Sequence, residues 1–239
     1  MVWVVIWLFM SAFVPIMTQV SIVFLAFMIF LCACVLILRP FQPKIPGMNF
    51  VKLRIHKIQL ETADTVSVFF DVPHDLAEQF RFVPGQYLTL RANVSGSEVR
   101  RAYSISSAPH DTHIGVTIKR LAGGRLSTFI HSNWKAGDLV EVAAPEGNFI
   151  LHTDHDKKRK HCFIAAGSGI TPIVSMVKTL LEEEPMSQAI LLYGSRNEKN
   201  IIFKETLDAL EQKYAGQLKV VHTLSSPVKQ SEPGLVGLF

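Results

Sequence analysis

The sequence predicts three parts in series: an N-terminal transmembrane helix, an antiparallel β-barrel, and a parallel α/β layer that is incomplete at its C-terminal end. Three observations carry this. Residues 1–38 contain no Asp, Glu, Lys, Arg or His. Residues 51–143 read as short alternating strands separated by Pro, Gly, Asn and Asp. From His161 onward the order becomes strand, glycine-rich turn, helix. The expected boundaries are a membrane anchor over 1–38, a linker over 39–47, the barrel over 48–155 and the α/β domain over 156–239.

The 239 residues are 49% hydrophobic with a mean hydropathy of +0.27, and the apolar excess is local. Within 16–38 the clearly polar side chains are Thr18, Gln19 and Ser21. About 20 apolar residues at ~1.5 Å rise cover the ~30 Å hydrocarbon layer, so this block predicts one span. The run 2–14, closed by Pro15, is short for a crossing of its own and leaves a second pass or a re-entrant segment as the alternative. A cleaved signal peptide requires a basic start and a shorter apolar core, whereas the first basic residue here is Arg39. Arg39, Lys44, Lys52, Arg54 and Lys57 follow the apolar block. By the positive-inside tendency the expectation is a cell-membrane protein with its folded part in the cytoplasm and membrane lipid as a partner of 1–38.

The net charge of +4 comes largely from this cluster and from Lys157-Lys158-Arg159-Lys160. Basic residues are not interleaved with aromatics on one face, which argues against nucleic acid as a partner. Cys32, Cys34 and Cys162 have no metal-binding spacing. Two lie in the apolar block and the third opens a strand expected to be buried, so no disulfide framework and no metal site is predicted.

After the Pro-punctuated linker, strands are expected over 51–55, 65–72, 87–92, 99–105, 114–119 and 139–143. Their near-regular spacing suits a small antiparallel barrel. The later elements are strands over 162–166, 189–193 and 218–223, with helices over 171–181 and 203–214.

Three motifs carry chemistry. The first, Arg101-Ala102-Tyr103-Ser104, follows Pro84-Gly85-Gln86-Tyr87. An Arg pairs with phosphate through parallel hydrogen bonds, a Tyr lies flat on an aromatic ring system, and a Ser hydrogen-bonds a ring nitrogen. On a strand, Arg101 and Tyr103 share a face and Ser104 takes the other. Taken alone, the motif reads equally as a surface Arg, a half-buried Tyr and a turn Ser. The second, Gly123-Gly124-Arg125-Leu126-Ser127-Thr128, frees backbone N–H groups at a helix start and adds two hydroxyls, which suits a pyrophosphate. Its plain alternative is a helix entry capped by Ser127. The third, Ala166-Gly167-Ser168-Gly169-Ile170-Thr171-Pro172, lies between a strand and a helix, where glycines admit a phosphate and Pro172 tolerates a missing donor. Tyr193-Gly194-Ser195-Arg196-Asn197 ends the next strand, where an α/β sheet places ligand groups and where Arg196 with Ser195 could hold a ribose 2′-phosphate.

In sequence order, Pro84-Gly85-Gln86-Tyr87, Arg101-Ala102-Tyr103-Ser104, Gly124 to Thr128, Pro145-Glu146-Gly147-Asn148-Phe149 and Gly167 to Pro172 resemble the signature set of the ferredoxin–NADP reductase superfamily. The flavour is that of oxygenase reductase components such as those of phenylacetyl-CoA epoxidase and phenol hydroxylase. The resemblance runs from about Met48 to the C-terminus. It implies an FAD-binding barrel followed by a nicotinamide-nucleotide domain, with FAD and NADPH or NADH as cofactors. Arg101 would pair with a flavin phosphate, while Tyr103 would stack on the isoalloxazine and Ser104 sit near its N5, making these two the catalytic pair. Gly124, Ser127 and Thr128 would hold the pyrophosphate, and Thr117 and Lys119 on the strand 114–119 are counted with the cofactor-binding residues. Gly167, Gly169, Thr171 and Pro172 would form the nicotinamide turn, with Ser195 and Arg196 beside it.

The implied function is transfer of electrons from NAD(P)H through FAD to a redox partner: an oxygenase, a desaturase, or a ferredoxin-like or iron–sulfur centre. The superfamily adds further α/β strands and a late Cys-Gly-Pro segment, and the oxygenase reductases add a two-iron two-sulfur domain. None of these precedes Phe239, so the expectation is a C-terminally incomplete domain, with an iron–sulfur cluster belonging to a missing C-terminal part. Two other readings stay open: a membrane-bound cytochrome b5 reductase-like NADH reductase, and an FAD-binding module without turnover.

Overall fold

The computed structural model describes residues 48–228. The chain divides into two compact units, Met1–Met48 and Asn49–Phe239, and everything below concerns the second. Its first half is a six-stranded antiparallel sheet. The strands are β1 (Phe50–Thr62), β2 (Thr65–Asp71), β3 (Tyr87–Val94), β4 (Ser97–Ser104), β5 (Ile114–Lys119) and β6 (Leu139–Ala143). Their order is β4-β3-β6-β1-β2-β5. A bridge between Ile105 and Val116 brings the two edges together, as a barrel requires.

Period-two alternation explains the core. Val66, Val68 and Phe70 of β2 and Ile114, Val116 and Ile118 of β5 share one face with Leu53 and Ile55 of β1 and Leu88 and Leu90 of β3, all buried in one cluster. Helix α1 (Arg125–Asn133) adds Leu126 and Ile130 to the same core.

The second half is a three-stranded parallel sheet, β7 (Lys160–Ala166), β8 (Gln188–Ser195) and β9 (Leu218–Leu224), in the order β7-β8-β9. Helices α2 (Ile170–Glu183) and α3 (Lys204–Lys213) provide the crossovers. Phe163, Ala165, Leu191, Tyr193, Leu218 and Val220 face the helices and are buried. The opposite face is open: Ile164 is 67% and Ile190 52% exposed. Cys162 points the same way and is exposed, which corrects the expectation that its strand is buried.

The fold class also needs a correction. Among the described residues no helix is long and apolar enough to cross a membrane, so the expected transmembrane helix is not supported. The segment 1–38 on which it was expected lies outside the described residues, as does the linker 39–47. What stands is a β-sheet domain followed by a parallel α/β layer.

The halves are joined by hydrogen bonds between named groups. Ser175 Oγ of α2 donates to Ser107 O at 2.6 Å, in the loop between β4 and β5, and Lys178 pairs with Asp111 of that loop. Leu151 N donates to Pro84 O at 3.1 Å. The connection into β7 is held by Glu184, fully buried at the end of α2. Its carboxylate accepts from Arg159, from Ser187 Oγ at 2.7 Å and from Asp154 N at 3.0 Å. Burial alone would raise the Glu184 carboxyl, but these donors outweigh it and hold the group down at about 2.

Candidate functional site: two nucleotide cradles

The first cradle is built on β4. Register pairs Tyr87 with Ser104, Leu88 with Tyr103 and Leu90 with Arg101, so Arg101 and Tyr103 share a face and Ser104, the last residue of the strand, takes the other. Tyr103 is partly buried against the barrel core. Burial pushes its phenol up to about 12, and the Arg101 charge opposes this without reversing it. The ring is therefore a neutral, half-covered aromatic surface with no acid–base role near neutral pH.

Arg101 differs from its neighbours. Arg91 is paired with Glu141 at 2.6 Å and Arg100 with Glu98 at 2.6 Å. Arg101 is exposed, and its Nη1 donates to Arg100 O at 2.7 Å; among the described residues no carboxylate pairs with it. A guanidinium in that state suits an added phosphate.

The strand end is held by two of the sequence motifs. Gly85 has φ +103°, and a Cβ there would stand 2.0 Å from Phe149 O and 2.4 Å from Met176 Cε, so only glycine fits. Tyr87 N donates to Glu146 O at 2.8 Å, Glu146 N returns the bond to Tyr87 O at 3.0 Å, and Ile105 N donates to Gln86 O at 2.9 Å. Pro84 to Tyr87 and Pro145 to Phe149 are thus a brace that fixes where Ser104 ends.

Helix α1 is preceded by Gly124, an extended N-cap with no side-chain cap. This corrects the capping role considered for Ser127, which lies inside the helix, buried, with Oγ accepting from Leu121 N at 3.3 Å. Gly123, with φ +73°, makes the tight entry, and a Cβ on Gly124 would come within 2.4 Å of Ser127 Oγ. Thr128 is exposed. Uncapped first-turn N–H groups are suited to an anion. Arg125 Nη2 ties this end to Val94 O of β3 at 2.9 Å, on the sheet that carries Arg101 and Tyr103.

Two other expected residues are engaged with protein. Thr117 is buried, with Oγ1 2.7 Å from Ser67 Oγ and 2.8 Å from Ser106 Oγ. Lys119 lies 3.5 Å from Asp64.

The second cradle follows β7. Gly167 to Gly169 form one 3₁₀ turn that runs into α2, with Gly167 at φ +51°. A Cβ on Gly167 or Gly169 would meet nothing within 4 Å, so the space before the turn is open. Thr171 donates to Ser168 O at 3.1 Å, and Pro172 falls in the first turn of α2, where its missing N–H costs nothing. Ser195, buried, and Arg196, exposed, leave the C-terminal end of β8 next door.

The sequence motif Tyr193 to Asn197 puts Tyr193 at this strand end but gives it no role in the cradle. Tyr193 is fully buried in β8, and its hydroxyl donates to Gly167 O at 3.0 Å while accepting from Ile202 N at 3.3 Å. It pins the glycine turn from below. A Tyr within an apolar strand was the available signal, since buried phenols need partners.

A sheet domain with an unpaired Arg and a neutral aromatic surface on one strand, an uncapped helix start beside it, and a parallel layer with an open glycine turn define a two-nucleotide-binding protein. Comparison with known proteins gives the same assignment. The family model of the oxidoreductase FAD-binding domain matches residues 52–150, and that of the oxidoreductase NAD-binding domain matches residues 163–237. The chain is 37% identical over 184 residues to a component of the 1,2-phenylacetyl-CoA epoxidase of Escherichia coli (strain K12), covering 77% of this chain and 52% of that protein. It is 41% identical over 184 residues to the ferredoxin reductase component of 3-ketosteroid-9-alpha-monooxygenase of Rhodococcus rhodochrous, covering 75% and 51%. Among solved structures, the flavohem-like FAD/NAD binding domain of nitric oxide dioxygenase from Vibrio cholerae O1 biovar El Tor superposes with a TM-score of 0.67 at 25% identity, covering 79% of this chain and 78% of that one. The chain belongs to the ferredoxin–NADP reductase family of FAD- and nicotinamide-binding oxidoreductases. It spans about half the length of the curated relatives it matches.

Proposed function

We propose that this chain is the FAD- and nicotinamide-binding part of a reductase that takes reducing equivalents from NAD(P)H and delivers them through FAD to a redox partner, an oxygenase or another downstream acceptor. The observation that carries this reading is the pairing of two cradles on one polypeptide. One is Arg101, Tyr103 and Ser104 with the uncapped start of α1, and the other is the open turn Gly167 to Gly169 with Pro172. When bound, FAD accepts hydride from a nicotinamide and gives up electrons one at a time.

The protein's part is binding, orientation and electrostatics. Arg101 offers its guanidinium to a flavin phosphate. Tyr103 presents a ring that stays uncharged, and Ser104 brings a hydroxyl to the strand end where the flavin ring would sit. Gly124 and Thr128 hold the pyrophosphate with backbone N–H groups and one hydroxyl, and Ser127 keeps the turn closed by accepting from Leu121 N. Gly167 and Gly169 let a nicotinamide-nucleotide phosphate approach the backbone, and Tyr193 keeps their turn in place. Thr117 and Lys119 act as framework residues of the barrel rather than direct ligands.

Arg196 discriminates between the two nicotinamide cofactors in this reading. It is exposed at the end of β8, beside the glycine turn, where a 2′-phosphate would fall. Arg196→Ala should weaken NADPH by about 1.5–3 kcal/mol, a charge-assisted contact, and leave NADH unchanged. Steady-state KM values for both cofactors check this, and an equal effect on both rejects the role.

A further inference from the structure

The outer face of the barrel carries a cluster that the nucleotide cradles do not use. His56 Nδ1 lies 3.0 Å and His113 Nε2 3.2 Å from the same oxygen, Asp71 Oδ1. The three residues stand side by side on adjacent strands: His56 on β1, Asp71 at the end of β2, and His113 immediately before β5. Register explains the meeting. β2 and β5 pair Phe70 with Ile114, which brings Asp71 and His113 together one step further along. β1 carries a bulge between Ile55 and Lys57, so His56 is the extra residue of that strand, and a bulge re-aims its side chain. The two imidazole rings are stacked, with centroids 3.8 Å apart and planes 23° from parallel.

We propose that His56, Asp71 and His113 bind a divalent transition-metal ion of the zinc class. The donor set is two imidazole nitrogens and one carboxylate oxygen, all within 4.8 Å of one another. Such a set suits zinc and its neighbours in the first transition row; magnesium and calcium want more oxygens. An ion with bonds of ~2.0–2.1 Å in tetrahedral geometry holds its donors about 3.4 Å apart. The two histidine–carboxylate separations, 3.0 and 3.2 Å, are already near that edge, so little movement is needed to admit the ion. The side chains are 44%, 41% and 26% exposed for His56, Asp71 and His113, which leaves a route for the ion and room for a water as fourth ligand. Two ligands on paired strands and a third one residue ahead of the next strand hold the site in place. His113 also closes the loop that contacts α2 through Ser107 and Asp111, so a bound ion would tie that loop to β1 and β2. The sequence concealed the site because its ligands are 15 and 42 positions apart and none lies in a short spaced motif.

The test uses the full chain, stripped with a chelator and free of tag histidines. Zn²⁺ is titrated calorimetrically, and Co²⁺ is followed by its visible absorption. The expected result is one Zn²⁺ equivalent per chain that displaces Co²⁺ from a four-coordinate spectrum. His56→Ala and His113→Ala should each weaken that equivalent at least about tenfold, since losing even a group that only orients a metal ligand costs about 10- to 100-fold. Asp71→Asn, which keeps the side-chain shape, should weaken it as well, whereas His155→Ala, an exposed histidine elsewhere, should not. Native circular dichroism of each variant separates loss of a ligand from loss of fold. The proposal is overturned if wild-type protein takes up no Zn²⁺, or if folded His56→Ala and His113→Ala proteins bind it with unchanged stoichiometry and affinity.

Discussion

At the scale of single residues, the site depends on groups left without protein partners where a ligand would need them. Arg101 lies among arginines that are paired with glutamates, and it alone of the three offers its charge outward. Arg101→Ala should therefore weaken FAD by about 1.5–3 kcal/mol, or roughly 10- to 100-fold in Kd, read by flavin-fluorescence titration of the apoprotein. Arg100→Ala, which removes a group already engaged with Glu98, should change FAD affinity far less. Tyr193 acts at one remove. Tyr193→Phe loses the hydrogen bonds to Gly167 O and from Ile202 N, and should cost about 1 kcal/mol of stability and raise the KM for the nicotinamide cofactor while leaving FAD affinity intact. A KM that does not move while stability falls would reduce Tyr193 to a core residue.

At the scale of elements, two braces hold the cradles in position. Gly85→Ala places a Cβ against Phe149 O and Met176 Cε at φ +103°, and should destabilise the fold by more than about 2 kcal/mol in denaturant unfolding. The Glu184 junction makes an acid-sensitive contribution. Its carboxyl is held at about 2, below the ordinary 4.5. The stabilisation is complete above the unfolded-state value and is lost as pH falls from about 4.5 through about 2. Glu184→Gln should remove that part of the pH dependence in unfolding curves measured across this window; an unchanged slope would assign it elsewhere.

The elements themselves were legible in the sequence. Alternation placed β5 and β6 at their observed limits, and Pro172 and the glycines marked the entry to α2. Less legible were features that depend on register: the hydroxyl cluster that engages Thr117, the bulge that turns His56, and the phenol of Tyr193 under a turn 26 residues earlier. Each arises from long-range pairing, which a local pattern does not encode. Ser127 reads as a cap for a related reason: the helix already begins at Arg125, and only the folded turn shows its side chain reaching back to Leu121 N.

At the scale of the whole molecule, a sheet domain and a parallel layer sit in one compact unit and are joined through α2. The parallel layer is covered by helices on one face, while Ile164 and Ile190 stand exposed on the other. Membership of the family accounts for both nucleotide cradles, and the pairing of the two on one chain is what the proposed reductase function rests on. Reduction of the flavin by a nicotinamide is tested most directly by anaerobic mixing of the FAD-reconstituted protein with NADPH and, separately, NADH, while the flavin absorption band is recorded. The band should bleach with at least one of the two. A protein that binds FAD yet keeps its oxidised band with both cofactors would contradict the assignment.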